Sequence, residues 1–261
     1  MRLITCLLLL AATFHAHAGQ RADKISWTEG GKNFDGVLVW DDTSKAPRPG
    51  IVMVPNWYGV TEQAVAKAKT LAGKDYVILV ADVYGRGLRP ANPEEAGKAT
   101  VAASADAAVL RSRIRAALAT LRGAAGKAPV DARRIGAIGF CFGGMVALEL
   151  ARSGADIDGV VAFHANLSTK APARAGELKA PVLVLNGADD TYVSAESIAA
   201  FQAEMRQAKA DWQFVNYGGA VHCFAEPDQK DGSAGCRYHE PSYRRGVAAM
   251  RDFFAEVFAG R

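Results

Sequence analysis

From residue 24 onward, short apolar runs alternate with longer segments in which apolar side chains recur every three or four positions. Runs at 24–27 and 36–40 flank Gly30-Gly31-Lys32-Asn33, a composition that predicts a tight turn and an antiparallel hairpin at a sheet edge. Residues 51–54 read as a buried strand stopped by Pro55. A helix is predicted over 61–73, with Ala64, Ala66, Ala68 and Leu71 on its apolar face. A strand over 76–83 leaves through Tyr84-Gly85-Arg86-Gly87, and a helix starts at Pro93. Over 106–121, Val109, Ile114, Leu118 and Leu121 form a stripe expected to pack on the sheet. Strands at 134–139, 159–163, 181–185 and 212–217 then alternate with helices at 143–153, 194–208 and 244–258. This order predicts an α/β fold: a mostly parallel sheet of about eight strands covered by helices on both faces.

The 261 residues, half of them hydrophobic, supply a core for a single domain, and the pattern has no linker or repeat to divide it. The first eighteen residues differ in kind. Arg2, the apolar stretch 3–14 and Ala16-His17-Ala18 have the layout of a signal peptide cut after Ala18, leaving residues 19–261 as a secreted or periplasmic domain. Cys6 precedes the apolar core instead of closing it, which argues against a lipoprotein. No later apolar run reaches the ~18 residues of a membrane span. The formal charge of +4 is spread without a basic block, so no nucleic-acid partner is expected.

Once Cys6 leaves, Cys141, Cys223 and Cys236 remain, an odd number that requires one unpaired thiol in an oxidising compartment. Cys223 and Cys236 flank a loop containing Pro227, Gly232 and Gly235 and are candidates to close it as a disulfide; the alternative is two separately buried cysteines. Either way Cys141 is free.

Cys141 sits in Gly139-Phe140-Cys141-Phe142-Gly143-Gly144, between a predicted strand and a predicted helix. A strand that turns at once into a helix forces its central residue into a strained conformation at the sheet edge and requires small neighbours. This is a nucleophile elbow carrying cysteine. The helix N-terminus aims the Phe142 N–H at a developing oxyanion, and its dipole favours thiolate. A free thiol, with a pKa of about 8.5, is only a few per cent ionised at pH 7, so a base is needed. His222 follows the last strand on the same edge. His239 lies in a polar stretch and is expected to be solvated, and His164, at a strand end, is expected to line the pocket. The loop Asn186-Gly187-Ala188-Asp189-Asp190 supplies an acid; its spacing to Val193 favours Asp190 and leaves Asp189 a capping role. The order Cys, Asp, His is that of α/β-hydrolases.

With the elbow, the Asp190 loop, Ala220-Val221-His222-Cys223-Phe224 and Ala81-Asp82-Val83-Tyr84-Gly85-Arg86 in that order, the chain from about residue 25 resembles the dienelactone hydrolase family. The resemblance implies a three-layer α/β-hydrolase fold and a Cys141–His222–Asp190 triad that cleaves a small-molecule ester or lactone without a cofactor. It also implies Trp57 N–H as a second oxyanion donor beside Phe142 and a substrate-facing place for Arg86; beside these, Asn56, Tyr58, Tyr84, His164 and Glu226 are expected to line the pocket. The sequence departs from the family twice. Asn56 stands where the family keeps a glutamate at the thiol, and asparagine cannot take a proton, which favours a standing Cys141–His222 pair. Glu226 stands where a carboxylate-binding arginine is expected, which disfavours anionic substrates and makes an Arg86–Glu226 pair conceivable.

A silent hydrolase scaffold used for binding is the competing interpretation. A redox role is disfavoured because no C-x-x-C occurs. No metal is expected, since the three histidines after residue 18 are far apart in sequence, and no strand is followed by G-x-G-x-x-G.

Overall fold

The computed structural model describes residues 19–260, so the expected signal peptide lies outside the described residues. Eight strands form one sheet: β1 Gln20–Glu29, β2 Lys32–Asp41, β3 Arg48–Val54, β4 Val77–Val80, β5 Val130–Phe140, β6 Gly159–Phe163, β7 Val182–Gly187 and β8 Trp212–Tyr217. Their order is β1-β2-β4-β3-β5-β6-β7-β8. β2 pairs antiparallel with both β1 and β4, and every later pairing is parallel. The edge hairpin turns on Gly30 and Gly31, at φ 54° and 72°, a left-handed pair that glycine adopts without a Cβ penalty.

The helices are α1 Glu62–Ala72, α2 Pro93–Ala103, α3 Ala107–Arg122, α4 Phe142–Arg152, α5 Ala195–Ala208 and α6 Glu240–Ala259. Side-chain caps set their starts: Thr61, Asn92, Asp106 and Ser194 each accept from an orphan N–H of the first turn. α2 to α5 cover one face of the sheet, where Leu110, Ile114, Leu148 and Phe201 join its core, and α1 and α6 cover the other with Leu71, Phe253 and Phe254. The inner parallel strands are apolar over 51–54, 77–80, 135–140, 159–163 and 182–185, where both faces are dry, whereas the edge strand β8 is half-exposed.

Three expectations are corrected. The strand at 76–83 is only Val77–Val80, because the Asp82 carboxylate accepts the Tyr84 and Gly85 amides at 2.9 and 3.1 Å and folds the chain off the sheet. Val109 is exposed; α3 packs through Leu110, Ile114, Ala117, Leu118 and Leu121, a stripe of the same period one position further on. α6 starts four residues early because Pro241 occupies its first turn, where the missing N–H costs nothing.

Candidate active site

β5 runs directly into α4 at Cys141, whose φ of 55° and ψ of −120° place it in the strained geometry expected of an elbow. The packing around it explains the glycines. A Cβ on Gly139 would lie 2.0 Å from the Gly143 carbonyl oxygen, and one on Gly143 would lie 2.2 Å from those of Val54 and Pro55. The Cys141 N–H donates to the Phe163 carbonyl at 3.0 Å, pinning the turn to β6. Its thiol is free and half-buried. Phe142 is the first residue of α4, so its N–H has no intrahelical acceptor and points out of the helix end.

β7 and β8 are neighbours, and their exit loops meet at the same edge: the Asp189 N–H donates to the Ala220 carbonyl at 3.0 Å. Asp190 and His222 are thereby brought together, with His222 Nδ1 2.7 Å from Asp190 Oδ2 in a buried hydrogen bond. The other Asp190 oxygen accepts the Tyr192 N–H at 2.8 Å. Asp189 is exposed and contributes its backbone only. Burial acts to lower the His222 pKa, but hydrogen bonds to Asp190 and Cys141 and their negative charges outweigh it, raising the value to about 10. Tyr192 stands edge-on to the His222 ring, centroids 5.1 Å apart.

His164, at φ 36° after β6, is fully buried and meets the His222 ring edge to face at 4.8 Å. Neither ring nitrogen has a hydrogen-bond partner; Nε2 faces Glu226 Oε1 at 3.6 Å. Burial, followed by the charges of His222 and Lys67, holds its pKa well below the usual histidine value. Glu226 is buried and forms an ion pair with Lys67 of α1, whose Nζ sits 3.9 Å from the Phe140 ring centroid. Beside this pair a cavity of about 330 Å³ is lined by Asn56, Tyr58, Lys67, Phe140, Glu226 and Gln229.

In the loop after β3, Asn56 Oδ1 accepts the Tyr58 N–H at 3.1 Å and its carbonyl accepts the Gly59 N–H at 2.9 Å, so Asn56 builds the turn that presents Trp57. Tyr84 donates its hydroxyl to the Trp57 carbonyl at 2.9 Å and stacks on Phe142 at 5.5 Å. Burial, with the charge of Cys141 next, raises the pKa of its phenol.

Arg86 falls elsewhere. Its guanidinium is exposed and held by both Asp35 oxygens at 2.8 and 2.9 Å, so the conceivable pairing with Glu226 is not made. His239 is not freely solvated either: its Nδ1 lies 2.8 Å from Ser242 Oγ at the start of α6. Cys223 and Cys236 are joined in a disulfide. Two site residues were missed by sequence reasoning. Lys67 lies on the same face of α1 as Ala64, Ala68 and Leu71, and a lysine within an apolar stripe was the signal available. Tyr192, exposed and two residues past Asp190, offered none.

The sheet order, the left-handed turn at Cys141 between β5 and α4, and Asp190 and His222 on the exits of β7 and β8 define an α/β-hydrolase fold. Residues 34–258 match the Dienelactone hydrolase family, and the chain belongs to that family. It is 30% identical over 217 residues to a Salmonella typhimurium protein named "Putative carboxymethylenebutenolidase", covering 80% of this chain and 77% of that one. Among solved structures it is similar to m3DLH, with 40% identity and a TM-score of 0.85, and to a dienelactone hydrolase-like promiscuous phosphotriesterase from metagenomic libraries, with 35% identity and a TM-score of 0.83. Each comparison covers 92% of this chain and 99% of the other. The protein is a hydrolase acting on esters or lactones.

Proposed function

We propose that this chain is an exported hydrolase of small, neutral esters or lactones that works through an acyl-cysteine intermediate, with Cys141 as nucleophile, His222 as acid and base, and Asp190 orienting His222. The observation that carries this reading is the left-handed Cys141 at the head of α4, its sulfur within 4.8 Å of a ring nitrogen of the His222 that Asp190 holds at 2.7 Å. The Cys141 thiolate attacks the ester carbonyl carbon and the oxyanion forms against the Phe142 and Trp57 N–H groups. As the tetrahedral adduct collapses, His222 gives its proton to the leaving alkoxide. Water then loses a proton to His222 and attacks the thioester, releasing the acid and restoring the thiolate–imidazolium pair.

Preference for neutral substrates follows from the charge pairing, since Arg86 is committed to Asp35 and Lys67 to Glu226. Export is supported by the Cys223–Cys236 disulfide, a bond that persists in oxidising compartments, together with the leader-like first eighteen residues. A p-nitrophenyl ester should give a burst of one product equivalent per Cys141, lost in Cys141→Ala. Steady turnover surviving in Cys141→Ala overturns the mechanism. Turnover of a carboxylate-bearing lactone faster than that of its methyl ester overturns the charge preference.

A further inference from the structure

The expectation of no metal rested on histidines far apart in sequence, and the fold removes that ground. Cys141 Sγ and one nitrogen each of His164 and His222 lie within 4.8 Å of one another. A tetrahedral zinc ion, with bonds of about 2.3 Å to sulfur and about 2.0 Å to nitrogen, wants such atoms roughly 3.3–3.6 Å apart, so closing on an ion requires each side chain to move by on the order of 1 Å.

The acid–base mechanism leaves one of these groups unexplained. His164 is fully buried, its ring nitrogens lack hydrogen-bond partners, and it sits beside the reacting thiol without a part in the chemistry. A buried imidazole with no partner is costly unless something else satisfies it. Both histidines also have a carboxylate beyond the ring: Asp190 at His222 Nδ1, 2.7 Å away, and Glu226 at His164 Nε2, 3.6 Å away. Asp190 fixes Nδ1 of His222 as the protonated nitrogen and leaves Nε2 as a lone-pair donor, the support that metal-bound histidines commonly have, while His164 keeps a ring nitrogen with no hydrogen-bond partner to offer.

We propose that Cys141, His164 and His222 form a site for one thiophilic divalent cation, with Zn²⁺ as the fitting probe, and that its occupancy blocks ester hydrolysis. The block rests on the acyl-cysteine reading; the binding does not. Zn²⁺ coordinates the thiolate and one nitrogen of each histidine, and the single proton shared by the Cys141–His222 pair is released to solvent. Water takes the fourth position, on the side where Cys141 is exposed. With its lone pairs engaged, the thiolate cannot attack a carbonyl and His222 cannot move a proton.

Titration of the intact protein with Co²⁺ as a spectroscopic stand-in should give a near-ultraviolet thiolate-to-cobalt band that saturates at one equivalent and disappears on addition of Zn²⁺. Cys141→Ala should abolish the band. His164→Gln, checked for folding by circular dichroism, should weaken Zn²⁺ binding at least tenfold by equilibrium dialysis. Chelation should restore hydrolysis in the wild type. The same Zn²⁺ affinity in wild type and His164→Gln, or no thiolate band with Co²⁺, overturns the site. Hydrolysis that rises with bound Zn²⁺ overturns the blocking role. If Cys141→Ala stays active, the acyl-cysteine reading fails while the Co²⁺ band in the wild type still decides the site.

Discussion

His164 and His222 stand edge to face at one rim of the sheet, each with an aspartate or glutamate beyond its ring, yet they favour opposite protonation states. Burial works against the charged form of both and is complete at His164; what His222 has to outweigh it, and His164 lacks, is a carboxylate whose charge is left for the ring. Asp190 spends its second oxygen on the neutral Tyr192 N–H, so its charge is available to the His222 imidazolium across a 2.7 Å hydrogen bond. Glu226 gives its charge to Lys67, and what faces His164 across 3.6 Å is an already compensated pair with the lysine's positive charge behind it. Proximity of a carboxylate therefore does not make a histidine a base when burial is complete and a third group already holds that carboxylate's charge.

The largest effect should come from removing the carboxylate charge beside His222. Asp190→Asn keeps the shape but loses the imidazolium's partner and permits the wrong tautomer, so kcat should fall by on the order of a thousandfold or more. A loss under tenfold, measured on a chain of unchanged circular dichroism, breaks the assignment of Asp190.

On the other side, Lys67→Met should leave Glu226 buried without its cation. Breaking a buried pair in this way costs about 3–5 kcal/mol, read as lower urea stability near pH 7. The loss should shrink in the double variant Lys67→Met, Glu226→Gln, where no charge is stranded. Equal losses in both would mean that Lys67 stabilises by packing alone.

A subtler contrast lies in the pH dependence of stability. The His222 pKa is raised in the folded chain from 6.5 to about 10, so its contribution is complete below about 6.5 and fades as pH climbs towards 10. For His164 the folded value is depressed, so its contribution is present above 6.5 and fades as pH falls below that point. Thermal melts should show a maximum near neutrality. Asp190→Asn should flatten the alkaline limb and His164→Gln the acid limb. Variants that flatten the opposite limbs would reverse the assignment of charge states.

The smallest effect is expected from Asp189→Asn, whose side chain is exposed and whose tie to the Ala220 carbonyl is a backbone one. Activity should change less than about twofold. A drop comparable with that of Asp190→Asn would exchange the two roles.

What could be read from the sequence was local. A glycine-flanked cysteine between a strand and a helix, an aspartate at one strand exit and a histidine at the next each carry their reason within a few residues, and the strand order then delivers them to one edge. What depends on a distant partner could not be read. Glu226 looked like an inverted charge because its cation, Lys67, is 159 residues away in sequence and on another helix. Arg86 looked available because Asp35, 51 residues away on β2, gives no local sign of holding it. Val109 misled for a different reason: in a helix with so many alanines, the apolar period is clear while its phase is not.

The disulfide bears on how the chain reaches its working form. Past residue 18 there are three thiols and so three possible single crosslinks, two of which would consume the proposed nucleophile. The pair that forms closes a segment of 13 residues, whereas joining Cys141 to Cys223 would close one about six times longer. Loop-closure entropy favours the short ring by about 1.6 kcal/mol, roughly a fifteenfold preference before any native structure exists. The crosslink follows His222 immediately, and a β-bridge sets His222 beside Cys236. A crosslink at this pair both takes up the two other thiols and fastens the strand exit that bears His222, and Cys141 is the thiol left free.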